Sequence, residues 1–402
     1  MRVLSSELSA HAGERVTMAG WLHAKRELGS VTFVVLRDRA GMAQVVVEPP
    51  FELSAETVVE VEGVVVAAEQ APGGVELHEP SFRVLAEPAE PPPLELRRPE
   101  LKESLPVLLD HAPLAWRHPR ERAKLEVLAA SVAGFRRTLD GLGFTEICTP
   151  KIVASATESG ANVFRLDYFG RPAFLAQSPQ FYKQTMVGVF ERVYETGKVW
   201  RAEPHETGRH LAEYTSLDAE LGFIGDHFDV MAVVRDAVAG MVESVRERAP
   251  QAADLPEVPP EIPWLHFSET GVDDVDLAPA DERRLCELHG EWVFVTGFPA
   301  AKRPFYTHPE PGRPEYTNSF DLLFRGMEIV TGGQRLHRYE DYVSALGGET
   351  APYEGYLQAF KYGMPPHGGF ALGLERWAGR LVGAKNIRET TLFPRDRSRL
   401  TP

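Results

Sequence analysis

Residues 88–106 read PAEPPPLELRRPELKESLP, and this run constrains the chain more than any other feature. Proline fixes φ and has no N–H to donate, so the run sustains neither a helix nor an interior strand and reads as a hinge. A hinge there divides 402 residues, a length suited to two or three domains, into a short first part and a long second one. The expected organisation is a domain over residues 1–87, a linker over 88–110 and a second domain over 111–402.

The first part is rich in strand signals. VTFVVLRDRAGMAQVVVE (Val31–Glu48) and VVEVEGVVVA (Val58–Ala67) are dense in β-branched residues and punctuated by glycine and Pro-Gly turns. About five short strands in so short a segment suit a small closed β-barrel of the OB-fold type. Beyond the hinge, Leu125, Leu128, Val132, Phe135, Leu139 and Leu142 recur at spacings of three and four, which predicts a helix over Arg122–Leu142 with one apolar stripe. Gly143 stops it, and FTEICTP (Phe144–Pro150) follows as a strand. Further helices are expected at 228–247 and 353–361. The remaining strand-like runs do not alternate regularly with helices, so the second domain is expected to be α+β, an antiparallel sheet flanked by helices.

Composition narrows the function. The net charge of −15 argues against a surface coated in basic groups, though not against a local basic patch. Cys148 and Cys286 lie far apart and form no CxxC pair, so each is expected as a buried free thiol, and neither a disulfide framework nor a cysteine zinc site is expected. The opening residues hold no apolar signal core and no run reaches membrane-spanning length, so the chain is read as cytoplasmic with no membrane partner.

Three stretches place polar residues where strands would otherwise be apolar. VWRAEPHETGRHLAEYTSLDAE (Val199–Glu220) reads as two antiparallel strands joined by a polar loop, with Arg201 and Glu203 at its entry. An arginine there can pair bidentately with phosphate; equally, the segment could be a surface hairpin with ordinary ion pairs. In SFDLLFRGMEIVTGGQRLHRYE (Ser319–Glu340), Asp321, Glu328 and Thr331 supply oxygen donors suited to Mg²⁺, although acidic residues on a strand are usually solvated. GGFALGLERW (Gly368–Trp377) is a glycine-rich strand entering a helix, which would carry Arg376 towards a nucleotide.

Pro150 after the amphipathic helix, then Arg201 and Glu203 in the hairpin, then GLER opening the last helix resemble, in this order, the three signature motifs of class II aminoacyl-tRNA synthetases. AQSPQFYKQTMVGVFERVYE (Ala176–Glu195) and EIVTGGQRLHRYE (Glu328–Glu340) further resemble the aspartyl enzymes of that class, in the compact archaeal form, and Leu22–Val47 resembles their anticodon-binding barrel. The resemblance implies activation of L-aspartate by ATP and transfer to tRNA. It implies Arg201 on the α-phosphate, Glu203 orienting adenine or the tRNA end, and Tyr214 and Arg376 on the two faces of adenine. His210, beside Leu211, would approach the terminal phosphate, and Glu328 with Thr331 would bind Mg²⁺. Ser178, Gln180 and Lys183 would line the amino-acid pocket, Arg335 would pair with the substrate's side-chain carboxylate, Asp218 and Asp321 would orient the cationic groups, and Glu158 would belong to a closing loop.

For tRNA the resemblance implies Phe33 stacking on an anticodon base, Gln44 reading a base edge, and Lys25, Arg26, Arg37 and Arg39 supplying positive charge. As a residue alone, Phe33 in a strand would more often be core. His23 and Pro72 stand where strictly discriminating archaeal-type members carry tryptophan and lysine, which implies charging of tRNA-Asn as well as tRNA-Asp. In the family the first motif builds a homodimer interface, although the helical stripe could equally be internal core. The alternatives are an asparaginyl enzyme, a strictly discriminating aspartyl enzyme, a paralogue making free asparagine, and a non-catalytic RNA-binding protein on this scaffold.

Overall fold

The computed structural model describes residues 2–154, 163–204 and 206–402. The chain divides into two compact units, Met1–Pro119 and Arg120–Pro402.

In the first unit, β1 (Arg15–Leu28), β2 (Val31–Arg37), β3 (Met42–Val47), β4 (Val58–Ala67) and β5 (Val75–Ala86) form a closed barrel in the order β1-β2-β3-β5-β4. Period-two alternation fills it: Met18, Val34, Leu36, Val45, Val59, Val61 and Leu77 are fully buried. In β1 the register shifts between Leu22 and Ala24, so His23 is an extra residue. Without that bulge the alternation Val16, Met18, Gly20, Leu22 would carry Arg26 to the inner face; with it, Arg26 pairs with Phe33 on the outside. The proline-rich stretch belongs to this same unit, where Leu94, Leu96, Leu101 and Ala115 form a small apolar cluster beside α1 (Leu105–Asp110) and α2 (Ala112–Ala115).

The second unit opens one residue into α3 (Pro119–Gly141). Of its predicted stripe, Phe135 and Leu139 are fully buried in the main core, and Leu128, Val132 and Leu142 are partly buried against it. Val127 and Ala130 complete the inward face, while Leu125 stays half-buried. The strand expected over Phe144–Pro150 shortens to β6 (Thr145–Glu146), and Cys148 beyond it is exposed, not buried as expected; Cys286 is half-buried, and both are free thiols. A small sheet follows, β7 (Ile152–Val153), β8 (Arg165–Tyr168) and β9 (Arg171–Leu175), then α4 (Gln180–Phe190), β10 (Arg192–Trp200), β11 (Glu213–Gly222) and α5 (His227–Arg248). Next come β12 (Trp264–His266), α6 (Pro279–His289), β13 (Trp292–Thr296), the hairpin β14 (Pro309–Glu310) and β15 (Arg313–Thr317), β16 (Ser319–Phe324) and β17 (Met327–Gln334). The last elements are α7 (Tyr339–Ala345), α8 (Glu354–Lys361), β18 (His367–Gly373) and α9 (Leu374–Leu381).

Eight strands form one sheet in the order β12-β13-β16-β17-β18-β11-β10-β6. Its pairs are antiparallel except at the two edges, β12 with β13 and β10 with β6. One face buries Leu217, Ala219 and Leu221 of β11, Phe320, Leu322 and Phe324 of β16 and Phe370 and Leu372 of β18 in the core that also holds α3, α5 and α9. The alternate residues of the same strands, among them Tyr214, Ser216, Asp218, Glu220 and Asp321, therefore point to the other face. That parity positions the site.

Candidate active site

Two adjoining cavities open on the polar face of the sheet, with Arg201, Glu328, Thr331 and Ala371 lining both. Glu328 and Thr331 are three apart on β17, a spacing that puts residues of a regular strand on opposite faces. A register shift in the β16–β17 pair resolves this: Glu328 lies opposite Leu323 and Thr331 opposite Asp321, two residues that share a face.

The first cavity gathers Arg201, Glu203, His210, Leu211, Tyr214 and Arg376, as well as Arg209, Ser216 and Glu375. The Arg201 guanidinium lies 5.9 Å from the centroid of the Tyr214 ring, within cation–π range. Arg201 also lies 3.7 Å from the Glu203 carboxylate, and His210 Nε2 lies 3.6 Å from the other Glu203 oxygen. Arg376 Nη1 donates to the Glu328 carbonyl at 3.3 Å and faces its carboxylate at 3.4 Å. Beneath them Glu375 accepts the Thr215 backbone N–H at 3.0 Å through each carboxylate oxygen, and burial raises its pKa against the pull of Lys198.

The second cavity is lined by Ser178, Gln180, Lys183, Arg303, Tyr306, Ser319, Asp321 and Arg335. Lys183, 1% exposed, donates to Asp218 Oδ1 and to the Phe370 carbonyl, each at 3.0 Å, and lies 3.4 Å from Glu220. Arg335 donates from Nε to Glu220 Oε1 at 2.9 Å and from Nη2 to the Gly369 carbonyl at 3.0 Å. Burial alone would raise the Glu220 pKa, but Arg335 and Lys183 outweigh it and the net shift is downward. Gly369 makes this possible, because a Cβ there would stand 2.0 Å from Glu220 Oε2. Arg303 donates from Nη1 to Thr331 Oγ1 at 3.0 Å and from Nη2 to Asp321 Oδ1 at 2.9 Å, over the Phe298 ring at 4.0 Å. Burial pushes the Asp321 pKa up to about 7, opposed by Arg303 and reinforced by Glu328. Buried Lys183 and Arg335, with half-buried Arg303, thus meet the carboxyl groups of Asp218, Glu220 and Asp321. Gln180 Nε2 is buried in its wall with no hydrogen-bond partner among the described residues.

Arg303 and Glu220 are the groups that sequence reasoning missed. Arg303 sits in a loop, in FPAAKRPFYT, with no motif spacing to mark it. Glu220 closes the alternation of polar residues on β11 and was legible in principle from that period of two. Glu158 lies outside the described residues.

On the barrel, Phe33 is half-buried on the outer face, opposite exposed Arg26 on β1 and Val46 on β3. Gln44 shares that face and donates to Glu76 Oε2 at 2.8 Å. Lys25 is exposed and donates to the Phe51 carbonyl at 2.9 Å, Arg39 is exposed, and Pro72 starts an exposed turn between β4 and β5. Two expectations change. Arg37 supplies no surface charge, since it is buried in a two-pronged pair with Glu56 at 2.9 Å. His23, the bulge residue, is buried at 7% exposure, with Nδ1 2.9 Å from Arg37 Nη1. Burial, with Arg37 alongside, lowers its pKa to about 4.

Residues 104–397 match the family of class II tRNA synthetases (D, K and N), and residues 16–85 match the OB-fold nucleic-acid-binding domain. The chain belongs to the class II tRNA synthetases. It is 46% identical to the aspartate–tRNA(Asp/Asn) ligase of Thermus thermophilus, over the whole of both chains. It is 46% identical to the ligase of the same name from Deinococcus radiodurans, over 100% of this chain and 99% of that one. Among solved structures, the asparaginyl-tRNA synthetase of Pyrococcus horikoshii complexed with asparaginyl-adenylate superposes with a TM-score of 0.94 at 31% identity, covering both chains fully. Membership makes the chain an aminoacyl-tRNA synthetase with an anticodon-binding barrel, as its sequence motifs imply. No described helix is long and apolar enough to cross a membrane.

Proposed function

We propose that this synthetase activates L-aspartate with ATP and transfers it to both tRNA-Asp and tRNA-Asn. The observation that carries the amino-acid choice is Arg335. Its guanidinium is buried and anchored through Nε and Nη2, which leaves Nη1 for a substrate carboxylate. A carboxylate offers that donor an acceptor and a compensating charge, whereas the amide of asparagine offers only its neutral carbonyl oxygen. The relatives named aspartate–tRNA(Asp/Asn) ligases support the same reading and extend it to two acceptors.

In the first step the α-carboxylate of aspartate attacks the α-phosphorus of ATP and pyrophosphate leaves. Arg201 stabilises the charge that develops on the α-phosphate, in a site already arranged to receive it. Tyr214 and Arg376 hold the adenine, Glu203 orients it and His210 meets the terminal phosphate. Ser178, Gln180 and Lys183 position the amino acid; Gln180 Nε2, lacking another partner, donates to it. Glu328, with the Thr331 hydroxyl that now accepts from Arg303, supplies hard oxygen donors on one face that would hold Mg²⁺, and the ion would neutralise phosphate charge. In the second step the terminal ribose hydroxyl of the tRNA attacks the adenylate carbonyl and AMP leaves.

On the barrel, Phe33 stacks on an anticodon base, with Gln44 and Arg26 beside it. The enzyme acts as a homodimer in the cytoplasm. Exchange of pyrophosphate into ATP should depend on aspartate and not on asparagine, and purified tRNA-Asn should be aspartylated. Asparagine-dependent exchange would establish the asparaginyl alternative. Failure to charge tRNA-Asn at enzyme levels that charge tRNA-Asp would leave a strictly discriminating enzyme.

A further inference from the structure

The loop between β10 and β11 carries Glu203, Arg209 and His210 into the nucleotide cavity, and its described residues are held both from within and from the end of the chain. Thr207 reaches His210 Nδ1 at 2.7 Å, and the Arg201 N–H closes the base on the Ala212 carbonyl at 3.0 Å. Within the loop the Arg209 N–H also donates to Thr207 Oγ1 at 3.2 Å and the His210 N–H to the Thr207 carbonyl at 3.3 Å, and Arg209 Nη2 pairs with Glu282 of α6. Several of the remaining backbone groups are taken by residues nearly 200 positions later. Arg388 Nη1 donates to the Thr207 carbonyl at 3.0 Å and the Ile387 N–H to the Gly208 carbonyl at 3.0 Å. Arg397 Nη1 donates to the Pro204 carbonyl at 3.2 Å, and the Ala212 N–H donates to the Arg395 carbonyl at 2.7 Å. Ser398 Oγ donates to the Glu206 carboxylate. At Gly208 the two strands of chain come so close that a Cβ would lie 3.2 Å from the Lys385 carbonyl.

Arg388 is the hub of this arrangement. Its side chain is 9% exposed and its Nε is paired with Asp396, itself 6% exposed. Asp396 in turn accepts the Ser398 and Arg399 N–H groups at 2.9 and 2.7 Å, which fixes the turn that presents Arg397 and Ser398 to the loop. We propose that Arg388 and the Arg395–Ser398 segment, organised by Asp396, form a clamp that sets the position of the β10–β11 loop and so the productive binding of ATP. Arg388 acts as a positioning residue, through the Thr207 carbonyl and thence His210, and touches no substrate. The inference rests on the reading of Glu203 and His210 as nucleotide-binding groups. A shift of about 1 Å in such groups is enough to cost one to two decades in rate, so a clamp well away from the reacting atoms matters.

The test is steady-state pyrophosphate exchange by the full-length enzyme, with ATP and aspartate varied separately. Arg388→Met should raise the KM for ATP about tenfold while leaving the KM for aspartate within about twofold, and Arg388→Lys should recover part of the loss because one donor survives. Because Arg388 and Asp396 are buried partners, Arg388→Met could simply fail to fold. The exposed pair Arg397→Gln with Ser398→Ala then carries the test, with a smaller rise in the same constant and an unchanged melting temperature. A fall in Vmax with the KM for ATP unchanged, in whichever of these variants folds, would overturn the clamp. His210→Ala separates the two readings. If it raises the KM for ATP and the clamp variants do not, only the clamp fails; if it has no effect, the nucleotide-loop reading fails and takes the clamp with it.

Discussion

Replacing Arg335 by glutamine tests the amino-acid site and its electrostatics together. Glu220, 0% exposed, loses the guanidinium at 2.9 Å and keeps Lys183 at 3.4 Å. Breaking a buried pair costs about 3–5 kcal/mol, mostly because the partner is left uncompensated, and the remaining lysine argues for the low end, about 3 kcal/mol. Separately, aspartate loses a charge-assisted hydrogen bond worth about 1.5–3 kcal/mol, or about 10- to 150-fold in kcat/KM. Chemical denaturation should report the first loss, and aspartate-dependent exchange the second, with the KM for ATP unchanged. The double variant Arg335→Gln with Glu220→Gln removes the stranded carboxylate, so it should recover most of the stability and none of the aspartate activity. The sign with pH follows from the depressed Glu220 pKa: its stabilisation is present above the unfolded carboxylate range and is lost as pH falls through the folded value. The Arg335 variant should lose much of that dependence. A drop in aspartate kcat/KM under about threefold, or recovery of activity in the double variant, would refute the reasoning.

Two further outcomes concern the barrel. Phe33→Ala should weaken tRNA binding by about 1–3 kcal/mol, read as an increased KM for tRNA, with tRNA-independent exchange unchanged; an unaltered tRNA KM would assign Phe33 to packing alone. His23 has a folded pKa of about 4, below the unfolded value, so the unfolded chain takes up its proton first as pH falls. Protection factors of the barrel-strand amides, corrected for the slower intrinsic exchange at low pH, should therefore fall as pH drops from about 6.5 towards 4, and His23→Gln should flatten that component.

Much of this molecule was legible in its residues. The stripe from Leu125 to Leu142 declared α3, and β-branched runs between turn signals declared the barrel. The QSPQFYK and GLER segments led to residues that line the two cavities, because cavity-lining groups on regular elements keep the element's own period. Cys148 shows the limit of composition: a small apolar-leaning residue is usually buried, yet this one follows a two-residue strand at the sheet's edge and is exposed.

What the sequence determined by itself was periodicity, order and residue chemistry, since these are properties of local chain geometry. What only the tertiary structure decided was which side chains share a face where that geometry breaks. One bulge in β1 buries His23 against Arg37 and sends Arg26 out beside Phe33; another in the β16–β17 pair brings Glu328 and Thr331 to the same side. A single extra residue inverts the parity of everything beyond it, and pairing with the neighbouring strand, not composition, selects where it falls. Arg303 and the Arg388–Asp396 clamp are non-local in the same way: each takes its role from partners that only the folded sheet and the chain's return bring within hydrogen-bond reach.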